Sequence, residues 1–533
     1  MRKFIYNILF YMFLFCTLHS QPSLQWRATI NDTSSVINPS FMCCDVSGNI
    51  YLSCTYRYSV TNNYYCMMTI KYNSSGVLQW MRTYGTYGHS GKIATDNLGN
   101  IFVSGTTGTN ESDLKSTIVK YFPSGDTIWT RIYNGINHRE VSPTDMKIDP
   151  KYNIYICGLG TADTGNTNYD LALLKYDSSG QLLWERTYDN YVYEFARTIA
   201  FDSVGNIIVA GFTDTLGLYV KSYIILKYTP EGALLWERIF SDYPFDLNQK
   251  LLATDKNCNI IVTGEYDVQP PYSANINTVK YDKNGNFLWS REYSQSYYTV
   301  GPISMALDTI GNIFITSPEV LFKYSPEGEY TRIDSNLNHY SQCDYKLCID
   351  NNQNLYTTHV IVDTMGINIH KISTSKYNSV TGAKVWSTNY YGLYNVFFNL
   401  YNFYLDNADN IYILGNSFVN SGSGDTNFLV KYSQLTGIVQ TGNIIPDKYK
   451  LYQNYPNPFN SMTNVKVQML KQGYAELKIF DLTGRLIKVL LKKYLNIGEH
   501  SYKFNASEFA SGVYFYRMQV GDFVQIKRMV LIK

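Results

Sequence analysis

The stretch DSVGNIIVAGFTDTLGLYVKSYIILKYTPEGALLW, residues 202–236, decides the fold. It opens on Asp202-Ser203-Val204-Gly205-Asn206. An Asp side chain can cap the backbone of such a turn, and Gly supplies the positive φ it needs. Lys227-Tyr228 closes a second apolar run, and Thr229-Pro230-Glu231-Gly232 turns the chain again. There Pro sits at the first corner, where its fixed φ fits, and Gly comes last, where φ must be positive. Trp236 follows four residues after Gly232. Short runs rich in Ile, Val and Tyr between such turns read as β-strands joined in hairpins.

The same unit recurs along residues 24–442. Lys-Tyr stands at 71, 120, 175, 227, 280, 323, 376 and 431, in steps of 43 to 55 residues. The turn variants Asp96-Asn97-Leu98-Gly99-Asn100, Tyr121-Phe122-Pro123-Ser124-Gly125 and Tyr324-Ser325-Pro326-Glu327-Gly328 repeat the two turns. The Gly-x-x-x-Trp pair recurs as Gly76/Trp80, Gly125/Trp129, Gly180/Trp184, Gly232/Trp236, Gly285/Trp289 and Gly382/Trp386. With Trp26, these are all seven tryptophans of the chain. The second copy predicts strands at 92–95, 100–105, 116–121 and 127–133, with the alternation of half-buried strands at Ile101, Val103, Ile118 and Lys120.

Four strands in about 50 residues, eight times over, predict an eight-bladed β-propeller. Leu24-Gln25-Trp26-Arg27 reads as a fourth strand with no blade before it. The last copy has only a weak, Trp-less fourth strand around 437–442. The N-terminal strand is therefore expected to complete blade eight and remove the open sheet edges. The Gly-x-x-x-Trp repetition resembles the tryptophan-docked eight-bladed propellers of quinoproteins and their non-enzymatic relatives, and the Asp turns resemble bacterial secreted propeller repeats. That resemblance implies blade packing, with each indole spanning neighbouring blades, and no ligand chemistry.

Composition bounds the function. Among 533 residues there are 45 Lys+Arg, 43 Asp+Glu and 50 Tyr, and 45% are apolar. This excludes a disordered chain and leaves bulk nucleic-acid binding without an electrostatic footprint. Arg2 and Lys3, the apolar run 4–16 and Ser20-Gln21-Pro22 read as a signal peptide, residues 1–20, cut after Ser20. No later apolar run is long enough to span a membrane as a helix. Export predicts an oxidising surrounding. Cys43, Cys44, Cys54 and Cys66 leave a local disulfide open, against the reading of small buried side chains; no CxxC spacing suggests zinc.

The repeated Lys and Asp are expected to meet in a structural contact at one end of each blade. The other end carries the variable loops 106–116, 159–170, 212–222, 265–276, 317–320, 358–373 and 416–427, with unlike residues including Asp113, Asp163, Asp214, Glu265, Tyr272, His370 and Asp425. Binding is expected there. The histidines lack His-x-x-x-His spacing, and no EF-hand loop, phosphate loop or Gly-x-Ser-x-Gly elbow occurs. No catalytic, cofactor or metal residue is therefore assigned, and Ca2+ on the acidic loops is the one cation left open.

The chain beyond 443 changes character. A linker at 444–450 leads to Gln453-Asn454-Tyr455-Pro456-Asn457-Pro458-Phe459, then to short alternating runs at 463–470, 474–482, 486–491, 500–505, 512–519 and 523–532. These predict a small Ig-like β-sandwich over 451–533. Four ordered blocks carry a resemblance: the block just quoted, Ile479-Phe480-Asp481-Leu482-Thr483-Gly484, Ser511-Gly512-Val513-Tyr514-Phe515-Tyr516, and the final segment 527–533 ending at Lys533. The segment resembles the C-terminal type A sorting domain of the type IX secretion system of Bacteroidota and related phyla. Its motif residues are Tyr455, Pro456, Asn457, Pro458, Phe459, Asp481, Gly484, Gly512, Tyr514 and Lys533. The resemblance implies export, recognition by the outer-membrane translocon, and attachment to the surface or release. Ser461 and Phe504 depart from the family, which often has Pro and Trp there.

The reading that follows is a propeller over 21–443, exported by type IX secretion and secreted or held at the cell surface as a binding or structural module for a glycan or protein. The competing class is an extracellular enzyme on the same scaffold, a glycoside hydrolase or lyase or a quinoprotein-like enzyme, the last suggested by the vicinal pair Cys43-Cys44. Charge divides the chain the same way. Residues 444–533 hold 14 Lys+Arg against 6 Asp+Glu, and residues 21–443 hold 29 against 37.

Overall fold

The computed structural model describes residues 21–30, 36–58, 64–110, 113–135, 141–161, 169–190, 193–214, 221–240, 250–268, 273–294, 304–317, 320–334, 345–363, 369–391, 396–419, 426–434, 449–469, 473–495, 498–521 and 523–533. All its regular elements are β-strands. No helix among the described residues is long and apolar enough to cross a membrane. The leader 1–20 and the weak strand expected at 437–442 lie outside the described residues. Contacts divide the chain into two compact units, Met1–Gln434 and Leu435–Lys533.

The first unit is an eight-bladed β-propeller. Blades one to seven are four-stranded antiparallel meanders over 36–84, 87–132, 141–188, 193–240, 250–294, 304–334 and 345–391. Blade eight takes three strands from 396–433 and its fourth from Ser23–Ile30, which pairs antiparallel with Thr426–Ser433 in the register Ala28↔Leu429 and Ile30↔Asn427. The first strands of successive blades touch all the way round, and that of blade eight meets that of blade one. The ring closes with the N-terminal strand as its clasp.

The second copy's strands run Tyr87–Thr95, Ile101–Gly108, Lys115–Tyr121 and Thr127–Ile132. Their burial corrects the half-buried reading: Ile101, Phe102 and Val103 are all fully buried. Alternation would expose every second side chain on a sheet with one wet face. Here each blade is covered on both faces. Ile101 and Val103 join a cluster with Tyr51 and Trp80 of blade one, while Phe102 joins Ile154 and Ile156 of blade three. Eight such clusters lie between neighbouring blades, the last joining Ile30, Tyr412 and Leu429 to Ile37 and Leu52.

The cysteines follow this packing. The seven in the described residues are free, and Cys343 lies outside them. Cys43 packs toward blade two and Cys44 toward blade eight, on opposite faces of one strand. Burial pushes the Cys157 thiol up to about 12, so it stays protonated.

The second unit is a sandwich of a three-stranded sheet and the four-stranded sheet Leu486–Leu495, Gly473–Phe480, Gly512–Val520, Phe523–Leu531 in spatial order. Val465, Val467, Leu477, Ile479, Tyr516 and Met529 are among its core residues. Tyr449 packs on this core and Lys450–Leu451 pairs with Val467 and Gln468, so the sandwich takes in the last two residues read from sequence as linker.

Candidate functional site

The two ends of the propeller do different jobs. At the turn-bearing end, blades one to five and eight share one lock. Trp80, Trp129, Trp184, Trp236, Trp289, Trp386 and Trp26 each stand directly opposite the repeated Lys of their blade. Apart from Trp386, their indoles point at the next blade's turn. Trp80 Nε1 donates to Pro123 O at 3.1 Å, Trp129 Nε1 to Ser178 O at 3.3 Å, and Trp26 Nε1 to Ser74 O at 3.0 Å across the closure. The Lys donates to the same oxygen, as from Lys71 Nζ to Pro123 O at 2.8 Å and Lys431 Nζ to Ser74 O at 3.4 Å. Two residues past Trp, Arg82 and Arg131 donate to the turn glycine carbonyls Gly125 O and Gly180 O at 2.9 and 2.7 Å.

The turn glycine has two reasons to be Gly. Gly125 has φ +89°, and a Cβ there would lie 2.8 Å from Trp80 Cδ2. At Gly76, with φ +77°, a Cβ would lie 2.4 Å from Trp26 Cδ2. Blade six has Thr331 opposite its Lys323, and Ile333 faces Gly382 of the next blade. Trp386 is buried against Tyr356, and the turn it would meet begins beyond Gln434, outside the described residues.

The Lys–Asp contact is more varied than one repeated pair. The Asp caps its own turn everywhere: Asp202 Oδ1 accepts from the Val204 and Asn206 N–H at 3.1 and 2.9 Å, and Oδ2 from Asn206 Nδ2 at 2.8 Å. A direct ion pair forms in blades four, five and seven: Lys227–Asp202 at 2.9 Å, Lys280–Asp255 at 3.2 Å and Lys376–Asp350 at 3.5 Å. The residue six past the Asp sets how closely the Lys approaches: the two shortest pairs are in blades four and five, where that residue is Ile. Ile208 and Ile261 leave the carboxylate open to the ammonium. In blades one, three, seven and eight a Tyr stands there, and its hydroxyl donates to the carboxylate: Tyr51 at 3.0 Å, Tyr155 at 3.2 Å, Tyr356 at 2.9 Å and Tyr412 at 3.0 Å; blade seven keeps its longer ion pair beside this bond. The Lys then lies over that ring, 5.3 Å away for Lys71 on Tyr51, in a cation–π contact.

Lys280 and Asp255 are almost completely buried, so breaking the pair leaves an uncompensated charge. Lys280→Met should lower unfolding stability by ~3–5 kcal/mol, while Lys71→Met should lower it by less, since Tyr51 still holds Asp45. Urea unfolding midpoints of the two variants check this ranking, and equal losses would contradict it.

The loop-bearing end lacks this uniformity. Asp113 is a half-buried loop residue paired with Lys115 at 3.2 Å and bonded by the Thr109 hydroxyl at 3.1 Å. His370 is buried against Phe397, ring centroids 4.1 Å apart. Burial pushes His359, on the neighbouring strand, down to about 4. Asp163, Tyr272 and Asp425 lie outside the described residues. Asp214 and Glu265 lie on the second strands of blades four and five.

Chemically distinct side chains converge instead at the seam of blades three and four, where a single parallel bridge, Tyr169↔Tyr193, joins the two sheets. On the face of blade four that turns toward blade five, Phe195 and Phe212 stack at 4.6 Å, and Tyr169 of blade three lies 5.9 Å from Phe195. The exposed Arg197 covers both phenylalanines, 5.8 and 5.5 Å from their centroids. Arg197 is the extra residue of a bulge between Ala196 and Thr198, a feature that re-aims a side chain. Around the bridge itself, Asp170, Asp189 and Glu194 bring carboxylate oxygens within 4.8 Å of one another. Asp170 and Glu194 are fully buried, and the Asn190 N–H donates to Glu194 Oε1 at 2.8 Å. Hard oxygen donors of this kind can hold a divalent cation. The sequence reading named none of the three. One signal was available: eight residues before the turn Asp, blades one, two, three and eight carry Ile37, Gly88, Val141 and Phe398, and blade four carries Glu194.

In the sandwich, the motif residues split between core and surface. Phe459 is buried beside Phe504, 6.2 Å between rings, and its N–H donates to Val530 O at 2.9 Å. Asn457 Oδ1 accepts from the Val530 N–H at 2.8 Å. Tyr514 is buried, and its hydroxyl donates to Ala510 O at 2.7 Å. Tyr455, Pro456 and Pro458 are exposed. Asp481 caps the turn of Gly484, and hydrogen bonds, first from the Thr483 hydroxyl, hold its carboxyl down at about 2. Gly512 starts the third strand of the larger sheet, and the Lys533 N–H donates to Ser511 Oγ at 3.0 Å.

Residues 453–533 match the family of secretion system C-terminal sorting domains. This tail is a type IX sorting domain; it implies export through that system to the cell surface or the medium. An uncharacterized WD repeat-containing protein of Acanthamoeba polyphaga mimivirus is 24% identical over 46% of this chain; the chain spans 25% of the length of this curated relative. Among solved structures, a eukaryotic initiation factor is 8% identical with TM-score 0.40, covering 89% of this chain and 91% of that one. A puromycin hydrolase is 7% identical with TM-score 0.41, covering 72% and 59%. Virginiamycin B lyase from Staphylococcus aureus is 11% identical with TM-score 0.34, covering 63% and 96%.

Proposed function

We propose that this protein, once exported, works outside the cell as a propeller-based binding module whose ligand docks at the loop-bearing end. The observation that carries this is the contrast between the ends. At the turn end the Trp, Lys and Arg side chains and the Gly carbonyls are committed to holding blades together. At the other end, Arg197 is exposed over the Phe195–Phe212 stack and Tyr169 is exposed beside it. A cation over aromatic faces suits a flat or anionic group, such as a sugar ring or an acidic side chain. Residues 1–20 are the leader that starts the export route, with the mature chain beginning at Gln21.

The enzyme reading gains less support. A glycosidase needs two carboxyl groups that substrate can reach, and Asp170 and Glu194 are both fully buried. Screening the purified full chain on a glycan array, and titrating the strongest hit, tests the binding reading. Arg197→Ala with Tyr169→Ala should weaken that hit at least tenfold at an unchanged melting temperature. Equal binding by the variant would refute a site on this aromatic patch.

A further inference from the structure

We infer that the seam of blades three and four holds one calcium ion, ligated by Asp170, Asp189 and Glu194 with a neutral hydroxyl oxygen supplied by Thr213. The first observation is the carboxylate triplet, whose oxygens lie within 4.8 Å of one another. Two opposed ligands of one Ca2+ stand about 4.6–5.2 Å apart, since each Ca–O bond is about 2.3–2.6 Å. Two of the three carboxylates are fully buried. Like charges crowded in a low-dielectric place resist joint ionisation, and a divalent cation between them removes that conflict.

A second observation points to the same place independently. Glu194 pairs with Thr213 across the strands, and Thr213 pairs with Ser222. Side chains of directly opposed residues project from the same face, with Cβ atoms about 4.5–5.5 Å apart. This row faces the seam, since Ala196, Val209 and Ile224 on the same strands belong to the cluster between blades three and four. Thr213 and Ser222 are almost completely buried, yet Thr213 Oγ1 and Ser222 Oγ have no hydrogen-bond partner. In blades two, five and seven, buried threonine pairs satisfy each other: Thr107 with Thr117 at 2.6 Å, Thr263 with Thr278 at 3.0 Å, Thr358 with Thr374 at 3.2 Å. A buried hydroxyl without a partner is costly, and an oxygen beside Glu194 that lacks one is placed to serve as a ligand.

The donors are all oxygen, which selects a hard cation over zinc or copper. Calcium fits better than magnesium because Mg2+ demands near-octahedral geometry at about 2.0–2.1 Å and gives up water reluctantly. The chain's extracellular destination also sets the affinity, since extracellular modules bind calcium at about 10⁻⁴–10⁻³ M.

The test uses the purified full chain stripped with a chelator and titrated with CaCl2 and, separately, MgCl2. Expected are one saturable calcium per chain in that affinity range, a melting temperature raised by calcium, and at least tenfold weaker magnesium binding. Asp189 is exposed, so Asp189→Asn should fold normally and bind calcium at least tenfold more weakly. Glu194→Gln should abolish binding and melt higher than wild type in chelator, because a buried charge is gone. Thr213→Val should weaken calcium at an unchanged melting temperature in chelator. No calcium binding, or binding that all three variants retain, would overturn the site; magnesium binding as tight as calcium would overturn the choice of ion.

Discussion

Removing residues 23–30 is expected to lower the melting temperature of the propeller by about 10 °C and to do so in one cooperative step. Ser23–Ile30 is the fourth strand of blade eight, the only strand of the ring contributed from the opposite end of the sequence. Its loss leaves Thr426–Ser433 as an open edge, and Phe428, Leu429 and Val430, all fully buried, lose cover. Ile30 and Ala28 leave the cluster that joins blades eight and one, and Trp26 leaves Gly76 and Ser74 O. At ~1.5–3 kcal/mol for each large side chain fully uncovered, partial exposure of four or five of them amounts to about 5 kcal/mol. That is comparable to the whole stability of many domains, and one kcal/mol corresponds to roughly 2 °C in a large domain. Calorimetry of the trimmed and intact chains gives the answer. Identical melting curves would mean that the ring does not depend on this clasp.

Deleting residues 451–533 should abolish export beyond the outer membrane while leaving a folded propeller. The sandwich has its own core, from Leu451 and Phe459 through Phe504 to Leu531, so removing all of it exposes no half-built sheet. Among the described residues, the propeller clusters are built from residues up to Tyr432. The experiment expresses both forms in a bacterium with a type IX system and compares cell-envelope fractions and medium. The truncated form should accumulate inside the outer membrane with the melting temperature of the propeller in the intact protein. Its appearance outside would contradict the role of the tail, and its aggregation would contradict the independence of the two units.

The repeat was legible because its signals are local. Asp202 and Gly205, or Pro230 and Gly232, act within five residues of one another, and a turn either has those side chains or does not form. The eightfold recurrence then fixed the blade number. The burial of Phe102 and the split of Lys–Asp contacts were not legible in the same way. Phe102 is covered by blade three, and whether Lys227 reaches Asp202 depends on Ile208 being too small and apolar to intervene. Both outcomes are set by packing between strands. In the tail, Phe459 and Tyr514 belong to the core while Tyr455 stands in solvent, a division the motif alone did not reveal.

The amino-acid order by itself determined the architecture, the closing role of Ser23–Ile30 and the export address, because each rests on short-range turn chemistry or on a contiguous motif. Only the tertiary structure decided which of eight similar blades carries distinct chemistry. Asp170, Asp189 and Glu194 come from a third strand, a connector and the first strand of the next blade. No spacing rule links them. The ring brings their oxygens together where two sheets meet, and Thr213 stands opposite Glu194 across the ladder.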